Sequence, residues 1–275
     1  MRTALCLALL CLVLTSARAE SPVERGRYIV DVIAACGNCH TPNLPDGKDM
    51  SRKLAGGMHI TDGGIDAWTT NITQDMETGI GAWSDEEIIR AVREGIRPDG
   101  SVIGPIMPIN LYRHISDVDA RAIVAYLRTV EPVRNEVKES AYPFPVPDNY
   151  GPPLGEVPEP DRNDPLAWGE YLAGPLGHCI ECHSSPGENG VPDLQNALGA
   201  GGLLFHGPWG VSASPNITPA GIGDKSDDEI KRIITTGVRG DGTSLLPPMG
   251  FAYYAGLTDE DLDAIVAYLR SLPEK

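Results

Sequence analysis

The sequence predicts an all-α fold built from two tandem copies of one helical domain, joined by a proline-rich linker. Three observations predict it. The chain of 275 residues repeats itself at an offset of 142 to 145. Ser/Thr-x-x-Asp/Glu boxes, which open helices, stand at matching places in both copies. A stretch with nine prolines separates the copies.

Residues 1–19 are expected to be a secretory signal peptide. Arg2 supplies a positive start, Ala4 to Leu14 is an apolar run, and Ala17-Arg18-Ala19 is a small-x-small cleavage site. The run is shorter than the roughly 20 residues a bilayer-spanning helix needs. Lipidation at Cys11 is disfavoured by the bulky Leu10 before it. Export of this kind, with the motifs below, points to a bacterial periplasm. The mature chain, near 256 residues, suits two domains.

The first domain is expected over 20–130 and the second over 166–275. Gly26-x-Tyr28 returns as Gly169-x-Tyr171, and Ala55-Gly56-Gly57 as Ala200-Gly201-Gly202. Asn71-Ile72-Thr73 returns as Asn216-Ile217-Thr218, and Asp99-Gly100 as Asp241-Gly242. Ala122 to Arg128 returns almost unchanged as Ala264 to Arg270. A repeat this long is a duplicated domain and not a solenoid unit. The linker, 131–165, has no helical period, and its prolines fix φ and remove backbone donors, so it should run extended. Tyr142, Phe144 and Tyr150 within it should lie against the domains.

Helices are read from their caps. Asn163 or Asp164 can cap a helix starting at Pro165 and running toward Cys179. Ser84-x-x-Glu87 and Ser226-x-x-Glu229 are capping boxes, and Ser116-x-x-Asp119 and Thr258-x-x-Asp261 resemble them. In the last helix of each copy, Ile123, Val124 and Leu127, and again Ile265, Val266 and Leu269, recur at helical spacing. They should be core, packed on the helix that leads into the cysteines. Strand signals are sparse, and the Gly/Pro-rich middles read as loops.

Four cysteines remain once Cys6 and Cys11 are removed, and all four fall in two copies of one pattern. Cys36-Gly37-Asn38-Cys39-His40 and Cys179-Ile180-Glu181-Cys182-His183 are both C-x-x-C-H, the haem c attachment signature. Two thiols three positions apart lie on one side of a helical turn and can add across the two vinyl groups of one haem. The histidine that follows is then beneath the iron and becomes its proximal ligand. A zinc site shared by the four thiols would leave both histidines unexplained, and a pair of disulfides ranks with it. Two covalently bound haems c are therefore expected, on Cys36 and Cys39 with His40, and on Cys179 and Cys182 with His183.

Methionine is the usual sixth ligand where a haem carries electrons. Among Met50, Met58, Met76, Met107 and Met249, only Met107 and Met249 occupy matching positions. Each lies nineteen residues before the matching tyrosine, Tyr126 or Tyr268, in a loop stiffened by proline. Both are expected to ligate iron. His59, His114, His178 and His206 have no counterparts and read as surface or structural residues. Asn71-Ile72-Thr73 and its copy match a glycosylation sequon but read instead as a turn or as a hydrogen-bonding group for a haem propionate. Trp68, Trp83, Trp168 and Trp209 do not repeat and read as packing residues.

Loss of Arg2 and Arg18 leaves 20 basic against 38 acidic residues, a net of −18. This disfavours nucleic acid and anionic membrane surfaces. It favours a redox partner with a basic docking face. No second apolar span follows the first, so contact with a membrane is expected only through a partner.

At this point the residues resemble a family. Asn71-Ile72-Thr73 followed by Thr78-Gly79-Ile80-Gly81-Ala82-Trp83-Ser84-Asp85-Glu86-Glu87 resembles the cytochrome c subunits of membrane-bound bacterial dehydrogenases for alcohols, aldehydes and gluconate. So do Arg97-x-Asp99-Gly100 and Ala125-Tyr126-Leu127-Arg128. The resemblance covers nearly the whole mature chain. It implies tandem class I cytochrome c domains with His/Met haems: His40 and His183 proximal, Met107 and Met249 distal. It further implies electrons taken from a dehydrogenase catalytic subunit; an oxidase or another cytochrome is the expected acceptor. Those subunits resemble three-haem proteins, often with a C-terminal membrane-binding stretch; here there are two haem motifs and no such stretch. The competing expectation is a dihaem enzyme of the peroxidase or thiosulfate-oxidising type, in which one haem keeps an exchangeable sixth position. Two matched methionines and no spare cysteine argue against it, so an electron carrier without catalytic residues is expected.

Overall fold

The computed structural model describes residues 20–275 apart from 46, 62 and 188–190. The expected signal peptide, with Cys6 and Cys11, lies outside them.

The first half opens with α1, Pro22–Tyr28. Ser21 and Glu24 close a full capping box around its start, and Pro22 sits where a helix needs no N–H. One π-helical turn, Ile29–Ile33, carries the chain into α2, Cys36–His40. Two small hairpins follow: β1 (Asn43–Leu44) with β2 (Gly47–Lys48), and β3 (His59–Ile60) with β4 (Ala67–Trp68). Then come α3 (Asp85–Glu94), α4 (Ile109–Tyr112) and α5 (Asp117–Leu127). The second half follows the same order with one hairpin in place of two and one further short helix. It has α6 (Pro165–Tyr171), a π-helical turn at Leu172–Leu176, α7 (Cys179–Cys182), and a hairpin of β5 (Leu204–Gly207) with β6 (Gly210–Ala213). It ends with α8 (Pro219–Ile222), α9 (Asp227–Thr236), α10 (Phe251–Tyr254) and α11 (Asp259–Ser271).

The all-α expectation is corrected by these hairpins: the described residues are 37% helical and 10% strand, a mixture of small helices and short antiparallel ladders. The reason is local. Glycine and proline stop helices in the middle of each half, and the freed backbone groups pair across tight turns such as Gly207 to Gly210.

Packing follows the repeat. α1 crosses α5 and α6 crosses α11, so the first and last helices of each half lie together. The crossing is close because Gly26 and Gly169 sit at it. A Cβ on Gly26 would lie 1.8 Å from the Ala122 carbonyl oxygen, and one on Gly169 2.0 Å from that of Ala264. Ile123, Val124, Leu127, Ile265, Val266 and Leu269 are all buried, as their spacing indicated. They meet Ile29, Ile33, Leu172 and Leu176, which are fully buried on the π-turns; burial of such side chains stabilises by about 1.5–3 kcal/mol each.

The repeated arginines close each half. Arg128 bonds Asp85 at 2.8 Å and the Trp83 carbonyl at 2.6 Å; Arg270 bonds Asp227 at 2.6 Å and the Lys225 carbonyl at 2.7 Å. The arginine takes only the carbonyl of residue 83, so this bond is kept with lysine at that place in the copy, while the Trp83 ring itself packs against the core.

The Pro-rich segment is extended over 131–160, before the turn that caps α6, and lies along the first half. Asn135 Nδ2 donates to the Ala55 carbonyl at 2.8 Å, Tyr150 Oη to the Ile103 carbonyl at 2.8 Å, and Asp117 N to the Val157 carbonyl at 2.9 Å. The Tyr142 ring fills the space left by Gly104, while Phe144 stays largely exposed beside it. Among the described residues no helix is long and apolar enough to cross a membrane.

Candidate functional site

Each C-x-x-C-H turn is reached through a residue with left-handed backbone, Ala35 at φ 46° and His178 at φ 41°. A non-glycine residue there carries a strain of about 1–3 kcal/mol, so the surrounding packing must impose it. The left-handed residue ends the π-turn and aims the next turn, with its two cysteines, off the helix axis. No disulfide joins any of the four cysteines, and burial pushes their thiols up: to about 12 for Cys36, about 11 for Cys179 and about 12 for Cys182, with Cys39 also raised. Reactive redox dithiols show the opposite shift. Among the described residues no group of three or more His, Cys, Asp or Glu side chains is placed to hold a metal ion.

Both histidines are oriented in one way. His40 Nδ1 lies 2.7 Å from the Thr70 carbonyl oxygen, and His183 Nδ1 lies 2.8 Å from that of Pro215. A carbonyl can only accept, so Nδ1 carries the proton and Nε2 keeps its lone pair free for a metal. Burial lowers both imidazoles below the usual histidine range, against the raising effect of these hydrogen bonds. The neutral form is the ligating form.

Two repeated motifs build this support. Gly56 N donates to the His40 carbonyl at 2.6 Å, and Gly201 N to the His183 carbonyl at 2.7 Å. Both glycines have φ 72°, and a Cβ on either would meet the 70 or 215 backbone carbonyl carbon at 2.4 or 2.5 Å. Asn71 and Asn216 then lock the segment that offers that carbonyl. Each Oδ1 accepts from the N–H and hydroxyl of Thr73 or Thr218, and each Nδ2 donates to a backbone carbonyl, that of Val133 or Lys275. Of the two readings of Asn-Ile-Thr, the side chains therefore serve the turn.

Met107 and Met249 stand on the loops entering α4 and α10, where both pack against the core. Met50 and Met76 are exposed, and Met58 rests against Lys48. His59 stacks on Trp68 at 4.0 Å and meets Asp66 at 2.5 Å, and His178 lies edge-on to Tyr112 at 6.0 Å.

The two turns face each other across the contact between the halves. Asn38 Nδ2 donates to the Pro248 carbonyl, one residue before Met249, at 3.3 Å. Tyr112 is buried near Cys36 and Cys39, and Tyr254 near Cys179, Cys182 and Cys39; burial raises both phenols well above their ordinary value. Glu181, inside the second motif, is pushed up to about 7 by burial. The contact is reciprocal. Asp119 accepts from Arg25 of its own half and from Tyr171 of the other; Asp261 accepts from Trp168 of its own half and from Tyr28 of the other. Sequence reasoning missed these partners and the Thr70 and Pro215 carbonyls. The one available signal was that Gly-x-Tyr and Asn-Ile-Thr recur without cofactor chemistry of their own, which marks a structural task in those segments but names neither partner.

Comparison with known proteins gives a consistent picture. A family model described as cytochrome c matches residues 176–273. The fructose dehydrogenase cytochrome subunit of Gluconobacter japonicus is 34% identical over 95% of this chain and 55% of its own length. The cytochrome c subunit of the quinone alcohol dehydrogenase of Gluconobacter oxydans is 31% identical over 92% and 55%. A dihaem cytochrome c-type protein of Cereibacter sphaeroides is 31% identical over 86% of this chain and 82% of its own length. The chain thus spans about half the length of the two dehydrogenase subunits and most of the dihaem protein.

Proposed function

The chain belongs to the dihaem c-type cytochromes, and from that premise we propose that it is an electron carrier of the bacterial periplasm, serving a dehydrogenase. The family binds haem c covalently, and two haems fit this chain. Bound haem supplies a reversible one-electron change at iron; the protein fixes ligands, burial and orientation. Cys36 and Cys39 would hold one group as thioethers and Cys179 and Cys182 the other. His40 and His183 would offer Nε2 to the irons, with Met107 and Met249 opposite.

The observation that carries this reading is the pair of Nδ1 hydrogen bonds at 2.7 and 2.8 Å, made alike in both halves to the carbonyl before Asn-Ile-Thr. They fix the tautomer a haem-iron ligand needs, and they raise its basicity. The packed methionines add support. Their thioethers need no proton exchange, so an electron can pass without acid–base chemistry at the iron. The dehydrogenase partner is inferred from relatives whose names place them in such enzymes. The periplasmic site and the removal of residues 1–19 are inferred from the leader.

The test is the intact mass of the protein purified from a periplasmic fraction and unfolded in acid. The expected mass is that of residues 20–275 plus two haems, which denaturation does not release. A polypeptide mass lower by the hydrogens of two disulfides, with no haem retained, would overturn the reading.

A further inference from the structure

One charge beside the paired motifs has no counterpart in the other half. Lys48 lies on β2; the second half also pairs back on itself after its motif, through a bridge between Pro186 and Pro192, but that stretch holds neither lysine nor arginine. Its Nζ donates to the carbonyl of Asn38, inside the first C-x-x-C-H turn. It also donates to Asn43 Oδ1 at 2.6 Å, lies 3.5 Å from the Thr41 carbonyl, and rests 3.6 Å from Met58 Sδ. Three oxygens match the three N–H bonds of an ammonium group, so the geometry calls for the charged form. All four partners are neutral, and none cancels the charge.

The surrounding charges sharpen the asymmetry. Asp31, the carboxylate that acts on Cys36, is paired with Lys53 at 2.6 Å. Glu181 acts on Cys39 and on Cys182, so it does not distinguish the two motifs. Lys48 acts on Cys39. Between His183 and Lys225 the sequence has neither lysine nor arginine, so the equivalent stretch offers the second motif no such cation.

We propose that Lys48 sets the order of the two reduction potentials, making the haem at Cys36–His40 the higher one and the resting place of an electron shared between them. This rests on the assignment of a haem to each motif. A fixed positive charge at the edge of a site favours the state with one more electron, and more strongly where protein excludes water. Exchange in the favoured direction takes ferrous to ferric at the second site and ferric to ferrous at the first, with no bond made and no proton moved. The entry point for electrons is then the second half and the exit the first.

The experiment is a spectroelectrochemical titration of the holoprotein, Lys48→Met and Lys48→Arg, each resolved into two one-electron waves. Met keeps the length of the side chain without its charge, and Arg keeps the charge. In Lys48→Met the higher wave should fall by a tenfold change in equilibrium constant, ~59 mV, while the lower wave stays. Lys48→Arg should keep the original order. Movement of the lower wave alone, or of neither wave, in a variant that retains two low-spin haems would overturn the proposal while leaving the haem assignment standing. A holoprotein with fewer than two haems would instead overturn the assignment beneath it.

Discussion

Replacing Met107 by alanine is expected to leave both haems attached and to lower the potential of one of them on the order of a few hundred mV, part of the ~0.8 V range that axial ligands span. The thioether stabilises ferrous over ferric iron, and losing it removes that preference. Water or an added ligand can then reach the iron, so the altered haem should bind cyanide or carbon monoxide while the other does not. The expectation comes from position: Met107 and Met249 enter α4 and α10 from matching loops and pack on the core. Met76 is 66% exposed, and Met76→Ala is the control that should change nothing. Met249→Ala should affect the other haem alone. An unchanged spectrum and potential in Met107→Ala would remove that residue from the ligand set.

The second large effect concerns the fold. Arg25→Ala is expected to destabilise the protein by about 3–5 kcal/mol, because it strands a buried charge. Asp119 has no exposure at all, and Arg25 holds both of its oxygens at 2.8 Å. Burial alone would lower the Arg25 pKa, yet its hydrogen bond and ion pair with Asp119 raise it above the usual arginine value. Tyr171 donates to the same carboxylate at 2.8 Å from the other half, so the loss should also loosen the contact between halves. Urea unfolding at constant haem content measures it. The double substitution Arg25→Met with Asp119→Leu should recover most of the loss, since an apolar pair leaves no charge buried. A loss under about 1 kcal/mol in Arg25→Ala would mean that water reaches Asp119.

The pairing of Asp119 explains what was readable in the sequence and what was not. Ser116-x-x-Asp119 and Thr258-x-x-Asp261 look like capping boxes, and the cap half is real: Ser116 and Thr258 accept from the Asp119 and Asp261 N–H groups. The carboxylates, however, turn away into buried contacts that join residues 94 and 233 positions apart. Local spacing carries no record of such partners. Likewise Glu229 answers to Gly240 and not to its own cap, so the second box is half formed where Ser84 and Glu87 complete theirs.

Core positions were legible because helical period and burial coincide, as Ile123 and Val266 show. The haem motifs were legible because covalent attachment requires those residue types in that order. The hairpins were not. β1 to β4 are two residues each, too short for alternation to register, and β5–β6 exposes Leu204 and Val211 so that apolar residues mark no buried face. The carbonyls of Thr70 and Pro215 were invisible for another reason: a backbone group leaves no trace in residue identity.

The most direct measurement is the far-red absorption of the oxidised holoprotein, followed through a redox titration, where a thioether bound to ferric haem iron gives its own band. Two haems with that band, lost in two one-electron steps and unmoved by peroxide or cyanide, are the expected result. A band for one haem only, with peroxide or cyanide taken up at the other, would contradict the account and make that haem a reaction centre.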